Sequence, residues 1–359
     1  MAATTARTAT AQRRRKTELA LLSEVDSSPR IRAIVGRHYR MNDHYEVGRE
    51  KIREYAGAVQ DYHPVHWDDT AAAEFGYGGL VASPTFIGLL GAAAQRALID
   101  LLDGYNLTTA VQTDQVIDFH RPAIAGDRLT SNLALVSFRQ AFGGDLIVVR
   151  NTVTDDLDDP VFTAHTSLIA RSEPPENSDQ LTEYMSGVIR RDLDAVPKGR
   201  VELWPEDPRE PAGPPRISAR VRARTSVAAG DELPTRVVEL TVGDLVHYAG
   251  VAGDPNPIHW HSGAAEAVGL EHGIVAHGML TMAYGAGFVT SWLGDPGALR
   301  QYSVRMTSPV HVPLDRPASI EYTGRVKSVD ESGAATVALT ALHQGRKIFG
   351  RATAVVQLS

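Results

Sequence analysis

Apolar and polar residues alternate with a period of two along SIEYTGRV (319–326) and ATVALTAL (335–342). That period is the mark of a half-buried strand, and Asp330–Gly333 has the composition of the turn between the two. The same reading predicts four strands near the end of the chain, at 300–307, 318–329, 334–343 and 347–358. It predicts four more in the first half, at 112–119, 128–139, 146–154 and 161–170. Each set of strands follows a long apolar run, Thr85–Leu102 in the first half and Met279–Leu293 in the second. The first run is interrupted by Gln95, Arg96 and Asp100, and the second is short and glycine-rich, so both predict buried helices, not membrane spans. A shorter helix is expected over Thr241–Ala252, with Thr241 and Asp244 spaced as a capping box.

The pattern occurs twice because the sequence does. Residues 54–67 read EYAGAVQDYHPVHW and residues 247–260 read HYAGVAGDPNPIHW, and an offset of 193 carries both Asp61 to Asp254 and His66 to His259. GLVASPTFIGLL from Gly79 then matches GIVAHGMLTMAY from Gly273 in pattern. Two copies predict two similar folds joined in one chain. One buried helix against a run of antiparallel strands makes each an α+β unit. Between them, residues 172–215 (SEPPENSD, WPEDPREPAGPP) are too rich in Pro and acidic residues to form a core and read as a surface linker, with a short helix around 180–191. Residues 1–37, which include Arg13-Arg14-Arg15-Lys16, read as a disordered basic tail with no apolar signal segment.

Composition narrows the function. The 359 residues include no cysteine, which removes disulfides and thiolate metal sites and fits a reducing cytoplasm. A net charge of −7 argues against nucleic acid as a partner. No phosphate loop, nucleophile elbow or dinucleotide fingerprint occurs, and no cofactor or metal is expected.

The candidate chemistry lies in Gly253–His259, GDPNPIH. Pro255 and Pro257 stiffen the loop, which lowers the cost of holding Asp254 and His259 at a fixed separation. A carboxylate and an imidazole share proton work near neutral pH. Gly278, at the start of the second apolar helix, offers a free backbone N–H backed by the helix dipole, the equipment of an oxyanion hole. Asn256 either orients the loop or donates to the same oxygen, and His277 contacts the loop or substrate or serves as a structural histidine. Alone, an Asp and a His five residues apart carry little meaning, and Asp-Pro-Asn-Pro is ordinary turn chemistry. The duplicated frame and the Ala-His-Gly helix start give the pair its weight. His259-Trp260-His261 has no acidic partner nearby in sequence and is not read as a metal site.

YAGVAGDPNPIHW followed by GIVAHGML resembles the signature of the MaoC-like, or hydratase-2, hot-dog family. The second half resembles the catalytic, HadB-like subunit of actinobacterial (3R)-hydroxyacyl-ACP dehydratases. The first half, through HYEVGREKIREYA, GYGGLVASPTF and QVIDFHRPAIAGDRL, resembles their HadA-like partner. The resemblance covers residues 38–171 and 216–359, and it implies a double hot dog in which each sheet wraps a long central helix. It implies dehydration of (3R)-3-hydroxyacyl thioesters in fatty or mycolic acid elongation, with Asp254 and His259 catalytic and with Asn256 and Gly278 as oxyanion donors. An acyl carrier protein or CoA thioester is the implied partner, met by a basic rim of Arg300, Arg305, Arg316 or Lys347. Other fatty acid synthase components are further candidate partners, and the assembly is a monomeric pseudo-dimer or a homo-oligomer. In the first copy His63 replaces Asn256, and Ser83-Pro84 replaces His277-Gly278, so one donor is gone. Asp61 and His66 are therefore read as a degenerate site in an acyl-binding or scaffolding half. An (R)-specific enoyl-CoA hydratase, a thioesterase and a non-enzymatic acyl-thioester-binding protein are the rival readings.

Overall fold

In the computed structural model, which describes residues 28–91, 111–141, 144–170, 186–188, 201–211 and 218–359, the alternating segments form the strands of one sheet. The first half supplies β1 (His38–Met41), β2 (Tyr45–Glu46), β3 (Val111–Phe119), β4 (Arg128–Ala141), β5 (Gly144–Thr154) and β6 (Pro160–Ala170). The connector supplies β7 (Val201–Trp204). The second half supplies β8 (Glu232–Leu240), β9 (Leu299–Met306), β10 (Ala318–Val329), β11 (Ala334–His343), β12 (Arg346–Lys347) and β13 (Phe349–Gln357). Their order is β7-β1-β4-β5-β6-β3-β9-β13-β11-β10-β8, with β2 on β4 and β12 on β11. The two halves therefore share a single antiparallel sheet. Its seam is the β3–β9 pair, in register from Asp114↔Arg305 to Asp118↔Gln301. Side chains reinforce it, since Arg305 Nε donates to Asp114 at 2.7 Å and Gln301 Nε2 to Asp118 at 2.7 Å.

Among the described residues, these helices accompany the sheet with both ends described: α1 (Ser28–Ile34), α2 (Arg49–Ala58), α3 (Asp69–Glu74), α4 (Val242–Ala252), α5 (Ser262–Ala267) and α6 (Gly278–Leu293). Helix α6 is buried nearly all round, which suits a central helix and not a surface one. It stops at Gly294, whose φ of 95° is a conformation that glycine adopts without strain. Helix α4 carries the expected capping box between Thr241 and Asp244. Of the first-half helical run, a turn at Pro84–Ile87 and helical residues 88–91 are described, and the rest of Thr85–Leu102 lies outside the described residues. One apolar cluster links the halves, joining Tyr55, Phe86 and Phe162 to Tyr248, Tyr284 and Tyr322.

Two expectations need correction. The tail expected to be disordered to residue 37 contains α1, because Ile31, 2% exposed, packs on Leu135 and Ile147 of β4 and β5. The linker is not wholly without regular structure, because β7 pairs with β1 from His38↔Trp204 to Met41↔Val201. A bare sheet edge is open to pairing, and β7 fills it. Strands β1, β2 and β8 were not foreseen. Most of the helix expected at 180–191 lies outside the described residues, of which 186–188 are helical. No helix among the described residues is long and apolar enough to cross a membrane.

Candidate active site

Helix α4 ends at Gly253, with φ 70°, and the chain turns at once into Asp254. A single 3-10 turn, Pro257–His259, then aims His259 inward. Asn256 caps that turn, its side-chain oxygen accepting from Ile258 N at 3.3 Å, so it serves in loop orientation. His259 is buried, and its Nδ1–H donates to Val275 O at 2.7 Å. That bond fixes the tautomer and leaves Nε2 with a lone pair. Burial is the main cause that holds the His259 pKa below its ordinary value, against smaller upward effects of Val275 O and Asp254.

His277 immediately precedes α6 and stacks on His259, with ring centroids 3.7 Å apart. Its Nε2–H donates to Asp254 O at 3.4 Å, tying the loop to the helix start. Burial, and next the neighbouring His259, push its pKa down to about 3, so it is neutral. Tyr248 of α4 packs its ring 4.9 Å from His277 and bonds through its hydroxyl to Tyr55, its counterpart in the first copy. Among the described residues, nothing accepts the Gly278 N–H at the first position of α6. A Cβ at Gly278 would come 2.6 Å from Met306 Sδ, so the close approach that requires glycine here is by Met306.

Donor atoms of Asp254, His259 and His277 all lie within 4.8 Å of one another. An imidazole lone pair lies in its ring plane, and planes stacked 3.7 Å apart and inclined by only 26° keep those lone pairs in separate, near-parallel planes. The trio is thus better arranged to pass protons than to converge on a metal ion. His261 does not join it, because its Nδ1 accepts from Ala264 N at the start of α5.

The first copy repeats the frame and closes it. His66 Nδ1–H donates to Val81 O at 2.6 Å, as His259 does to Val275, but His66 Nε2 lies 3.1 Å from Asp61 Oδ2. No ion pair joins Asp254 to His259 among the described residues. Burial pushes the Asp61 carboxyl up, but the charge and hydrogen bond of His66 outweigh it and hold the carboxyl below its usual value. Burial likewise lowers His66, and Asp61 outweighs it, leaving His66 raised. The pair therefore stabilises the fold between those two pKa values, and its contribution is lost as pH falls through the first or rises through the second. His63 stands where Asn256 stands in the second copy, and its Nε2–H donates to Gly294 O at 2.9 Å. The site is fastened to the end of α6.

Sequence reading missed Val275 O, Tyr248 and Met306. The first two had a signal, because Val81/Val275 and Tyr55/Tyr248 are repeated positions. Met306 had none. Of the basic rim, Arg305 is tied to Asp114, Arg300 donates to Gly297 O at 3.1 Å, Arg316 pairs with Asp315, and Lys347 is exposed on β12.

Residues 33–164 match the family model of the FAS1-like dehydratase domain region, and residues 224–343 match that of the MaoC-like domain. A solved MaoC-like dehydratase is 41% identical, with a TM-score of 0.80, over 92% of this chain and 100% of that one. The chain belongs to the MaoC-like dehydratase family. A UPF0336 protein of Mycobacterium leprae is 46% identical over 139 residues, 38% of this chain and 87% of that protein. A conserved hypothetical protein of Mycobacterium tuberculosis, described as a double hotdog fold, has a TM-score of 0.58 at 15% identity, over 90% of this chain and 96% of that one. At that identity the likeness speaks for the fold, which is the double hot dog. As a MaoC-like protein the chain is a lyase of the dehydratase/hydratase type.

Proposed function

We propose that this chain eliminates water from (3R)-3-hydroxyacyl thioesters to give trans-2-enoyl thioesters. The observation that carries the reading is the contrast between the copies. Asp254 and His259 stay apart beside an unengaged helix-start N–H, while Asp61 and His66 are closed on one another. The separation lets His259 face C2 and Asp254 face the C3 hydroxyl of a substrate lying alongside both, and the Gly278 N–H polarises the thioester carbonyl. His259 Nε2 takes the C2 proton. The C3–O bond breaks as the hydroxyl receives a proton from Asp254 and departs as water. One proton enters the pair and one leaves, and the C2=C3 bond retains the electrons of the broken C2–H bond. No other reactant is needed. The thioester is carried by an acyl carrier protein, in fatty acid elongation, in the cytoplasm.

Enoyl absorbance followed with 3-hydroxybutyryl and longer thioesters tests the reaction. Turnover of the (3R) isomer with no thiol release supports it, and thiol release without enoyl formation would replace it with a thioesterase. The neutral form of His259 is the base, and burial disfavours its charged form. The acid limb of kcat/KM should therefore fall below about pH 6.5, the ordinary histidine value. A limb above that value in the pH–rate profile would remove His259 from the role.

The first half acts as scaffold and acyl-binding partner. Asp61→Asn should keep turnover within about threefold while lowering unfolding free energy by about 3–5 kcal/mol, the cost of breaking a buried ion pair. Urea denaturation at pH 7 beside steady-state assays reads both, and loss of kcat in a folded Asp61→Asn chain would make the first copy a second active site.

A further inference from the structure

Helix α6 begins with Gly278 and Met279, both only half-buried, and the first half reaches them. Gln112, at the start of β3, places its Nε2 3.6 Å from Met279 Sδ. Gly88 lies against the same side chain, where a Cβ would be 3.5 Å from Met279 Cε. Gln112 is held in place, since its Nε2 also donates to Gln115 Oε1 at 2.8 Å. Gln115, 4% exposed, is fixed in turn by Thr166 Oγ1, which donates to the same oxygen at 2.8 Å.

The arrangement is poor as mere packing. A thioether sulfur is a weak acceptor, so the second N–H of Gln112 is spent on little. Its Oε1 has no partner among the described residues. An apolar side chain would cover Met279 without desolvating a carboxamide. A half-buried amide that is anchored on one side and under-used on the other suits an amide-bearing ligand passing the helix start.

We propose that Gln112 pairs with the first amide of a pantetheine-type arm whose thioester is held at Gly278, so that the first half contacts the substrate of the second. The inference rests on the thioester reading above and adds the part of the substrate that is recognised. Two carbons separate the thioester sulfur from that amide nitrogen, which places the amide just outside the carbonyl clamp. Gln112 Oε1 accepts the amide N–H, and the Nε2–H that rests on Met279 Sδ turns to donate to the amide oxygen. The amide is common to CoA and carrier-protein thioesters, so the contact serves either carrier.

Gln112→Leu and the length-matched Gln112→Met test it with two crotonyl thioesters. N-acetylcysteamine supplies the amide, and an S-butyl thioester lacks it. With the first, KM should rise about 30-fold, as for two lost hydrogen bonds, with kcat within twofold. With the second, neither constant should move. Calorimetric binding of the same two thioesters reads the contact without turnover. Equal effects on both thioesters, or none on either, would overturn the role of Gln112. A wild-type chain that binds the amide-bearing thioester but does not turn it over would instead overturn the dehydratase reading.

Discussion

Asp254→Asn should lower kcat by about three to four orders of magnitude, at the upper end of what one positioned acid or base contributes. The amide is nearly isosteric; the Asp254 side chain accepts from Asn256 N at 3.3 Å within its own loop, and its backbone is held by Ala249 O of α4 and by His277 on the carbonyl oxygen. The backbone bond to His277 does not depend on the side chain, so the loop should keep its shape. Stopped assays with a 3-hydroxyacyl thioester, beside circular dichroism and a melting curve, separate lost chemistry from lost fold. A folded Asp254→Asn chain with more than a tenth of wild-type kcat would take the carboxylate out of the reaction.

Gly278→Pro should cost kcat about 100- to 1,000-fold, because it deletes one oxyanion donor. The substitution copies Pro84 of the first copy into the second, and proline at the first helical position suits a helix, whose N–H there is unpaired in any case. The new ring meets Met306, whose sulfur is 2.6 Å from the position of the added carbon. Gly278→Ala is the control, since it carries the same crowding and keeps the N–H. Strong loss in Gly278→Pro with modest loss in Gly278→Ala assigns the effect to the donor. Equal losses assign it to Met306.

The strands with clean alternation were legible in the sequence. Those predicted at 318–329 and 334–343 match β10 and β11 at both ends. Strands β1, β2 and β7 were not, because a segment of two to four residues has too little sequence for a period to show. Helix α1 escaped because its surroundings are basic and polar and its hold on the sheet is carried by Ile31, a tertiary fact. The Asp–His loop and the α6 start could be read because the sequence repeats them. What separates the copies could not. Asp61 and Asp254 have the same spacing to their histidines, yet one pair closes to 3.1 Å and the other stays apart. That difference follows from their surroundings, since Asp61 lies against α6 of the other half, where a Cβ on Gly287 would be 3.8 Å from its carboxyl carbon.

The β3–β9 seam has a consequence for dilution. Two separate subunits that build one reaction centre between them lose it when their concentration falls below their dissociation constant. Here the partners share a polypeptide and five paired residues, so their encounter is intramolecular and their effective concentration is fixed by the tether. The halves then stay joined in a crowded cell and in a nanomolar assay alike, and their stoichiometry cannot drift from one to one.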